Sequence, residues 1–210
     1  MAYSRFTATE LEETFHLQQD FVNDLFATVK GKEASEFIKT TLGKTIGFAL
    51  ELNTEKARSE YIIAPVLFEL KSQTDDKISV FSGIEFNVDR KLGFTGWCDF
   101  LVSRSPFQRG LKAPVVVAVE AKNQDFDAGI TQCIAEMYAA TLFNAKRNQN
   151  IKVIYGCVTT GDAWRFLLLK DKQALIDTTM FDVRKDLNQI LGILCAMSLG
   201  ELDEQVMREV

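Results

Sequence analysis

The segment PVVVAVEA, residues 114–121, constrains the fold of this 210-residue chain more than any other stretch. A continuous apolar run of strand length, rich in β-branched residues, suits a central strand covered on both faces. The run ends on Val119-Glu120-Ala121-Lys122. Side chains two apart on a strand point the same way, so Glu120 and Lys122 share one face, about 6–7 Å apart. Charges at the end of a buried strand cost several kcal/mol unless they are compensated. A carboxylate and an ammonium in that relation suit a divalent metal and a positioned water. A plain ion pair at the strand end is the other reading of these residues.

Around this strand the periodicity alternates between helical and extended. Residues 8–29 predict an amphipathic helix, with Thr7 or Thr9 as cap and Leu11, Phe15, Leu17, Phe21, Leu25 and Phe26 at roughly helical spacing. Residues 33–52 and 55–72 predict two more helices, the last kinked or starting near Pro65. Strands are expected at 78–88, with Gly83 a candidate bulge, and at 95–103, followed by a loop over 104–113. A long helix over 126–146, strands at 151–158 and 163–169 around the Gly161-Asp162 turn, and a helix over 182–199 follow. A short acidic tail comes after Gly200. The order predicts an α/β protein with a mixed central sheet flanked by helices. The absence of repeats and low-complexity linkers favours one domain over 1–210. Within it, 1–54 reads as an N-terminal helical layer, 55–170 as the core and 171–210 as a C-terminal helical extension.

Composition narrows the chemistry. Hydrophobic residues at 47% and charged residues at 25% are ordinary for a globular chain. There is no run of ~18 apolar residues to span a membrane, and the N-terminus lacks the basic-then-apolar order of a signal peptide. Cys98, Cys133, Cys157 and Cys195 are widely spaced in apolar surroundings, which predicts buried free thiols and a cytoplasmic location. His16 is the only histidine, between Phe15 and Leu17, and reads as structural. Cys/His zinc sites and histidine-based triads are thereby set aside. Hydrolytic chemistry in this chain would rest on carboxylates, lysine and a metal. The net charge of −5 argues against a dedicated nucleic-acid binder but leaves room for a local basic surface.

Asp99 lies in a second apolar strand, Gly96-Trp97-Cys98-Asp99-Phe100-Leu101-Val102. A hairpin through 104–113 sets this strand antiparallel to 114–121 and can bring Asp99 beside Glu120. Two adjacent carboxylates repel, and a hard cation with oxygen ligands relieves that repulsion. Asp99, a gap of twenty residues and then Glu120-x-Lys122 resemble the PD-(D/E)xK superfamily of nucleases, the restriction-endonuclease-like fold. The strand order over 55–170 is similar to the αβββαβ core of that superfamily. The stretch from Val158 to Phe166 looks like a hairpin found in the nuclease domains of some restriction systems.

The resemblance implies metal-dependent phosphodiester hydrolysis of nucleic acid, DNA foremost. Mg²⁺ or Mn²⁺ would be held by Asp99, Glu120 and the Ala121 carbonyl, with Glu60 joining directly or through water. Lys122 would orient the attacking water, and Gln132 would fix the water, the lysine or a nucleotide. It also implies a homodimer contact through residues 8–52. Two departures stand out: Cys98 replaces the proline of the name, and Glu136 stands where some relatives carry a tyrosine four residues after the helix glutamine. Tyr138 falls on another part of that helix.

Each residue also has a plainer reading. Glu60 and Gln132 could be ordinary polar residues on helix faces, and Trp97 and Trp164 read as core rather than base-stacking platforms. Lys146, Arg147 and Lys152 read as a solvated helix end, while Arg104, Arg109 and Lys112 are better placed for DNA backbone contact. Two competing functions follow: a nuclease fold retained for nucleic-acid binding or assembly, with a weak or vestigial metal site, and an unrelated α/β binding protein. The latter requires Asp99 and Glu120 to lie far apart.

Overall fold

The computed structural model describes residues 3–203. Thr7 caps α1 (Ala8–Phe15), its hydroxyl accepting the Glu10 N–H at 3.1 Å. The helix stops at His16, which adopts a left-handed backbone with φ 59°. The expected helix over 8–29 is therefore only half present. Residues Gln18–Val22 instead form β1, which pairs in parallel with β7 (Gln173–Asp177). Pairing with a distant strand overrides the helical spacing, and Phe21 ends 59% exposed.

The helices α2 (Glu36–Leu52), α3 (Glu55–Arg58) and α4 (Ala64–Gln73) follow, with a π-helical turn, Ser59–Ile63, joining the last two. The irregularity expected at Pro65 takes that form. Proline has no N–H for the Tyr61 carbonyl four residues back. Thr45 Oγ1 donates to that carbonyl at 2.7 Å instead, and the Ala64 N–H reaches back to the Ser59 carbonyl.

One mixed sheet holds the molecule together. It contains β2 (Ser79–Glu85), β3 (Trp97–Ser103), β4 (Val115–Ala121), β5 (Val153–Thr159), β6 (Ala163–Lys170) and β8 (Phe181–Asp182), besides β1 and β7. The order is β1-β7-β6-β5-β4-β3-β2, with β8 also pairing β6. Strands β4 and β5 run parallel, joined by the crossover helix α5 (Phe126–Ala145), and β3 is antiparallel to both β2 and β4. Every residue of β4 is buried, as its apolar run requires. The last helix, α6, runs Leu187–Leu199. Both ends of the chain, expected to be helical, thus contribute strands to the same sheet.

Gly83 is not a bulge. The β2–β3 register is the same on either side of it, from Ser82↔Phe100 to Ile84↔Cys98, while its φ of +55° kinks β2 opposite Asp99.

Cores form on both faces of the sheet. One lies under α2, α4 and α6, the other under α5 and α1. Helix α5 lies close because Gly156 faces it: a Cβ there would come within 2.5 Å of Met137 Sδ. The Asn144 side chain bonds both the N–H and the carbonyl of Val115, at 2.8 and 2.7 Å, fixing α5 to the start of β4. All four cysteines are free and buried. Among the described residues no helix is long and apolar enough to cross a membrane. Residues 204–210 of the acidic tail lie outside the described residues.

Candidate active site

The register pairs Phe100 with Val119 and Leu101 with Ala118, and its continuation sets Asp99 opposite Glu120. Asp99 Oδ2 accepts the N–H of Ala121 at 2.9 Å, which pins the carboxylate to the end of β4. The Lys122 N–H donates to the Thr159 carbonyl at 2.9 Å, extending the β4–β5 ladder past the last strand residue. Glu120 and Lys122 therefore keep a common face, and Lys122 Nζ donates to Glu120 Oε1. The same ammonium donates to Gln132 Oε1 at 3.1 Å, and Gln132 Nε2 donates to Glu136 Oε1 at 3.1 Å. Asp99, Glu120, Ala121, Lys122 and Gln132 are thus brought together, and the separation that an unrelated binding protein required is absent.

Glu60 is not part of this cluster. It faces solvent and pairs with Lys56 at 3.3 Å, one turn along its own helix. The glutamate that α3 delivers is Glu55, close enough for its charge to act on Asp99, Glu120 and Lys122. Glu55 opens α3 directly after its cap Thr54, whose hydroxyl accepts the Ala57 N–H at 3.1 Å. That cap-then-glutamate signature was available in the sequence. Glu136 was visible only as a departure from the family pattern. On α5 it lies one turn beyond Gln132, fully buried on the same face, whereas Tyr138 packs elsewhere, against Phe15 and Phe94.

The basic residues considered for phosphate contact are mostly engaged within the chain. Arg104 donates to the Ser198 carbonyl and pairs with Asp203, and the Lys112 ammonium lies 3.7 Å from the centre of the Phe107 ring. Lys146 pairs with Asp89, and Arg147 stacks on Phe143. The two tryptophans differ: Trp164 is core, but Trp97 is 65% exposed, contrary to its reading as a core residue.

Burial and crowding set the ionisation. Burial raises the Glu120 carboxyl, the charge of Asp99 raises it further, and Lys122 opposes both, leaving it pushed up to about 8. Burial and then the Glu120 charge push Glu136 well above the carboxylate range. Asp99 is raised by burial, against the Ala121 N–H and Lys122. Burial alone would lower Lys122, but Glu120 outweighs it and holds the ammonium above its ordinary value.

A raised carboxyl keeps its proton in the folded state after the unfolded chain has released it. Stability should therefore fall as pH rises from about 4.5 to about 8. Thermal unfolding followed across that window should show a declining midpoint, and Glu120→Gln should flatten the slope.

Gly129 lets α5 approach this cluster. A Cβ there would lie 2.7 Å from Val158 Cγ1 and 2.9 Å from Lys122 Cγ. Gly129→Ala would gain about 1 kcal/mol from helix propensity alone. The overlap should outweigh this, leaving the variant about 1–3 kcal/mol less stable by denaturant unfolding.

Compared with known proteins, the chain matches no protein-family model and no curated protein.

Proposed function

We propose that the chain is a metal-dependent nuclease of the PD-(D/E)xK type, with a restriction-endonuclease-like core. The reading is carried by the convergence of Asp99, Glu120 and Lys122 at the ends of two adjacent strands. The order helix, three antiparallel strands, crossover helix and parallel strand supports it.

The residues fit a hard divalent cation. Glu120 Oε2 is buried, and among the described residues no backbone N–H or lysine donates to it; its polar neighbours are the carboxyl groups of Asp99 and Glu136. Such an oxygen is costly unless something positive occupies the space beside it. Asp99 and Glu120 would hold Mg²⁺ or Mn²⁺, with the Ala121 carbonyl as a further donor. When bound, the ion supplies Lewis-acid polarisation of a phosphate ester and a lowered pKa for water. Lys122 would then hold the nucleophilic water and offset charge gathering on the phosphoryl oxygens. Gln132 keeps Lys122 oriented, and Glu136 keeps Gln132 oriented. The substrate is nucleic acid, DNA foremost.

One observation favours the second reading, a fold kept for binding or assembly. Among the described residues no three His, Cys, Asp or Glu side chains gather closely enough to hold a metal. Mg²⁺, however, commonly binds one or two carboxylates and keeps several waters. Incubation of supercoiled and linear DNA with Mg²⁺ or Mn²⁺ separates the two readings. Nicking that needs the metal, stops with chelator and is lost in Asp99→Ala supports the nuclease. Intact DNA under all conditions supports the scaffold. The homodimer would use the outer face of α2, where Phe37, Phe48 and Leu52 are exposed. Light scattering on the purified chain tests it, with a monomer mass as the contrary result.

A further inference from the structure

We propose that Arg165 binds the backbone phosphate next to the scissile one, so that the site takes a polynucleotide in preference to a lone phosphodiester. The inference rests on the nuclease reading of Asp99 and Glu120. The sheet register carries it. Glu120 on β4 pairs with Val158 on β5, and Val158 pairs with Arg165 on β6. Side chains abreast on neighbouring strands share a face. Val158, Leu167 and Leu169 are core under α5, whereas Trp164 and Phe166 are buried on the opposite side of the sheet. Arg165 therefore stands on the α5 face, with Glu120, Lys122 and Gln132. It is level with Glu120 and two strand spacings, about 10 Å, away.

Helix α5 begins between the two. A Cβ on Gly129 would touch both Val158 and Lys122, and one turn earlier Phe126 lies against Arg165, its ring centre 5.7 Å from the guanidinium carbon. The Arg165 stem is buried as far as Nε, which meets no acceptor among the described residues. The residue as a whole is partly exposed, so its terminal nitrogens reach solvent. Arg104 and Lys146 pair with Asp203 and Asp89, but among the described residues no carboxylate pairs with Arg165. A half-buried cation without a counterion is costly unless an anion joins it. The planar guanidinium fork suits a phosphate.

The charge of the site calls for such a group. Glu55, Asp99 and Glu120 surround a single ammonium, and their field repels the phosphates on either side of the bond to be cut. A backbone laid across the first turn of α5 meets Lys122 on one flank and Arg165 on the other. Arg165 then offsets the repulsion at the neighbouring phosphate without touching the carboxylates that hold the ion.

The test titrates a short labelled DNA duplex into the full chain with chelator present, at several salt concentrations. By anisotropy Arg165→Gln should bind about tenfold more weakly, and its slope of log K against log salt should be shallower by about one. Arg165→Lys keeps the stem against Phe126 and the charge, so it should keep the slope and recover part of the affinity. With Mn²⁺, Arg165→Gln should lose about tenfold in kcat/KM on DNA, mainly through KM. The loss on bis(p-nitrophenyl) phosphate, which has no second phosphate, should be much smaller.

Affinity and salt slope unchanged in Arg165→Gln overturn the inference and leave the nuclease standing. So does an equal loss on both substrates, or an Arg165→Lys variant as weak and as shallow in slope as Arg165→Gln. A slope that drops in Arg165→Gln, without metal-dependent cleavage of either substrate by wild type, overturns the nuclease reading and leaves a phosphate contact at Arg165.

Discussion

Lys122→Met should abolish DNA cleavage, lowering the rate at least about 10²-fold, while the chain remains folded. In the structure the ammonium sits between Glu120 and Gln132, the one positive charge among Glu55, Asp99, Glu120 and the buried Glu136. Methionine fills similar space along the stem, so the packing against Gly129 survives. What disappears is the donor that holds the nucleophilic water and the charge that steadies the phosphoryl oxygens. The ammonium also stabilises ionised Glu120, so without it that carboxyl should rise further and the variant should tolerate high pH less well than wild type. Nicking of supercoiled DNA in Mn²⁺, compared at equal protein with folding checked by circular dichroism, measures the effect. Wild-type rates in the variant would remove lysine from the mechanism.

Trp164→Ala should cost about 3–5 kcal/mol, the range for truncating a large aromatic side chain in a packed core. For a chain of this size that lowers the unfolding midpoint by roughly 10 °C. Trp164 is buried where β6 meets both β5 and β8, paired with Thr159 and Phe181. Its indole N–H also closes the turn through Gly161. That turn abuts α3 and the π turn: Arg58 donates to the Thr160 carbonyl at 2.7 Å and pairs with Asp162. Gly161 sits at φ +84°, which strains any side-chain-bearing residue, and a Cβ there would press on Ile62 Cδ1 at 3.2 Å. Removing the indole therefore loosens the turn that steadies α3 and Glu55. A midpoint shift of only a degree or two would mean that the hairpin is not part of the cooperative core.

The parts of the fold that were legible in the sequence are those governed by local pattern. The β4 run announced a strand buried on both faces, and the break around 104–113 announced the antiparallel β3–β4 pair. Together these brought Asp99 to Glu120. The helix over 8–29 was misread because Leu17 and Phe21 continue a helical spacing past His16. Only the distant partner β7, invisible to local periodicity, makes β1 a strand. Strand β7 itself, Gln-Ala-Leu-Ile-Asp, is too short to declare its period.

At the site, Glu60 was chosen by resemblance, but the π turn that accommodates Pro65 lies across that stretch and Glu60 faces solvent there. Glu55, five residues earlier, sits at the helix start that meets the cluster. Trp97 looked like core because tryptophan usually is. It is instead the first residue of β3 and 65% exposed.

Calorimetric titration of Mn²⁺ into the metal-free chain, alongside Asp99→Ala and Glu120→Gln, tests the central claim most directly. Wild type should take up the ion saturably at a specific site, release protons as it does so because the raised carboxyls must ionise, and lose that uptake in either variant. Isotherms that are flat for wild type, or identical in all three proteins, would show that these carboxylates hold no metal and that the cluster is an ion pair at the end of a buried strand.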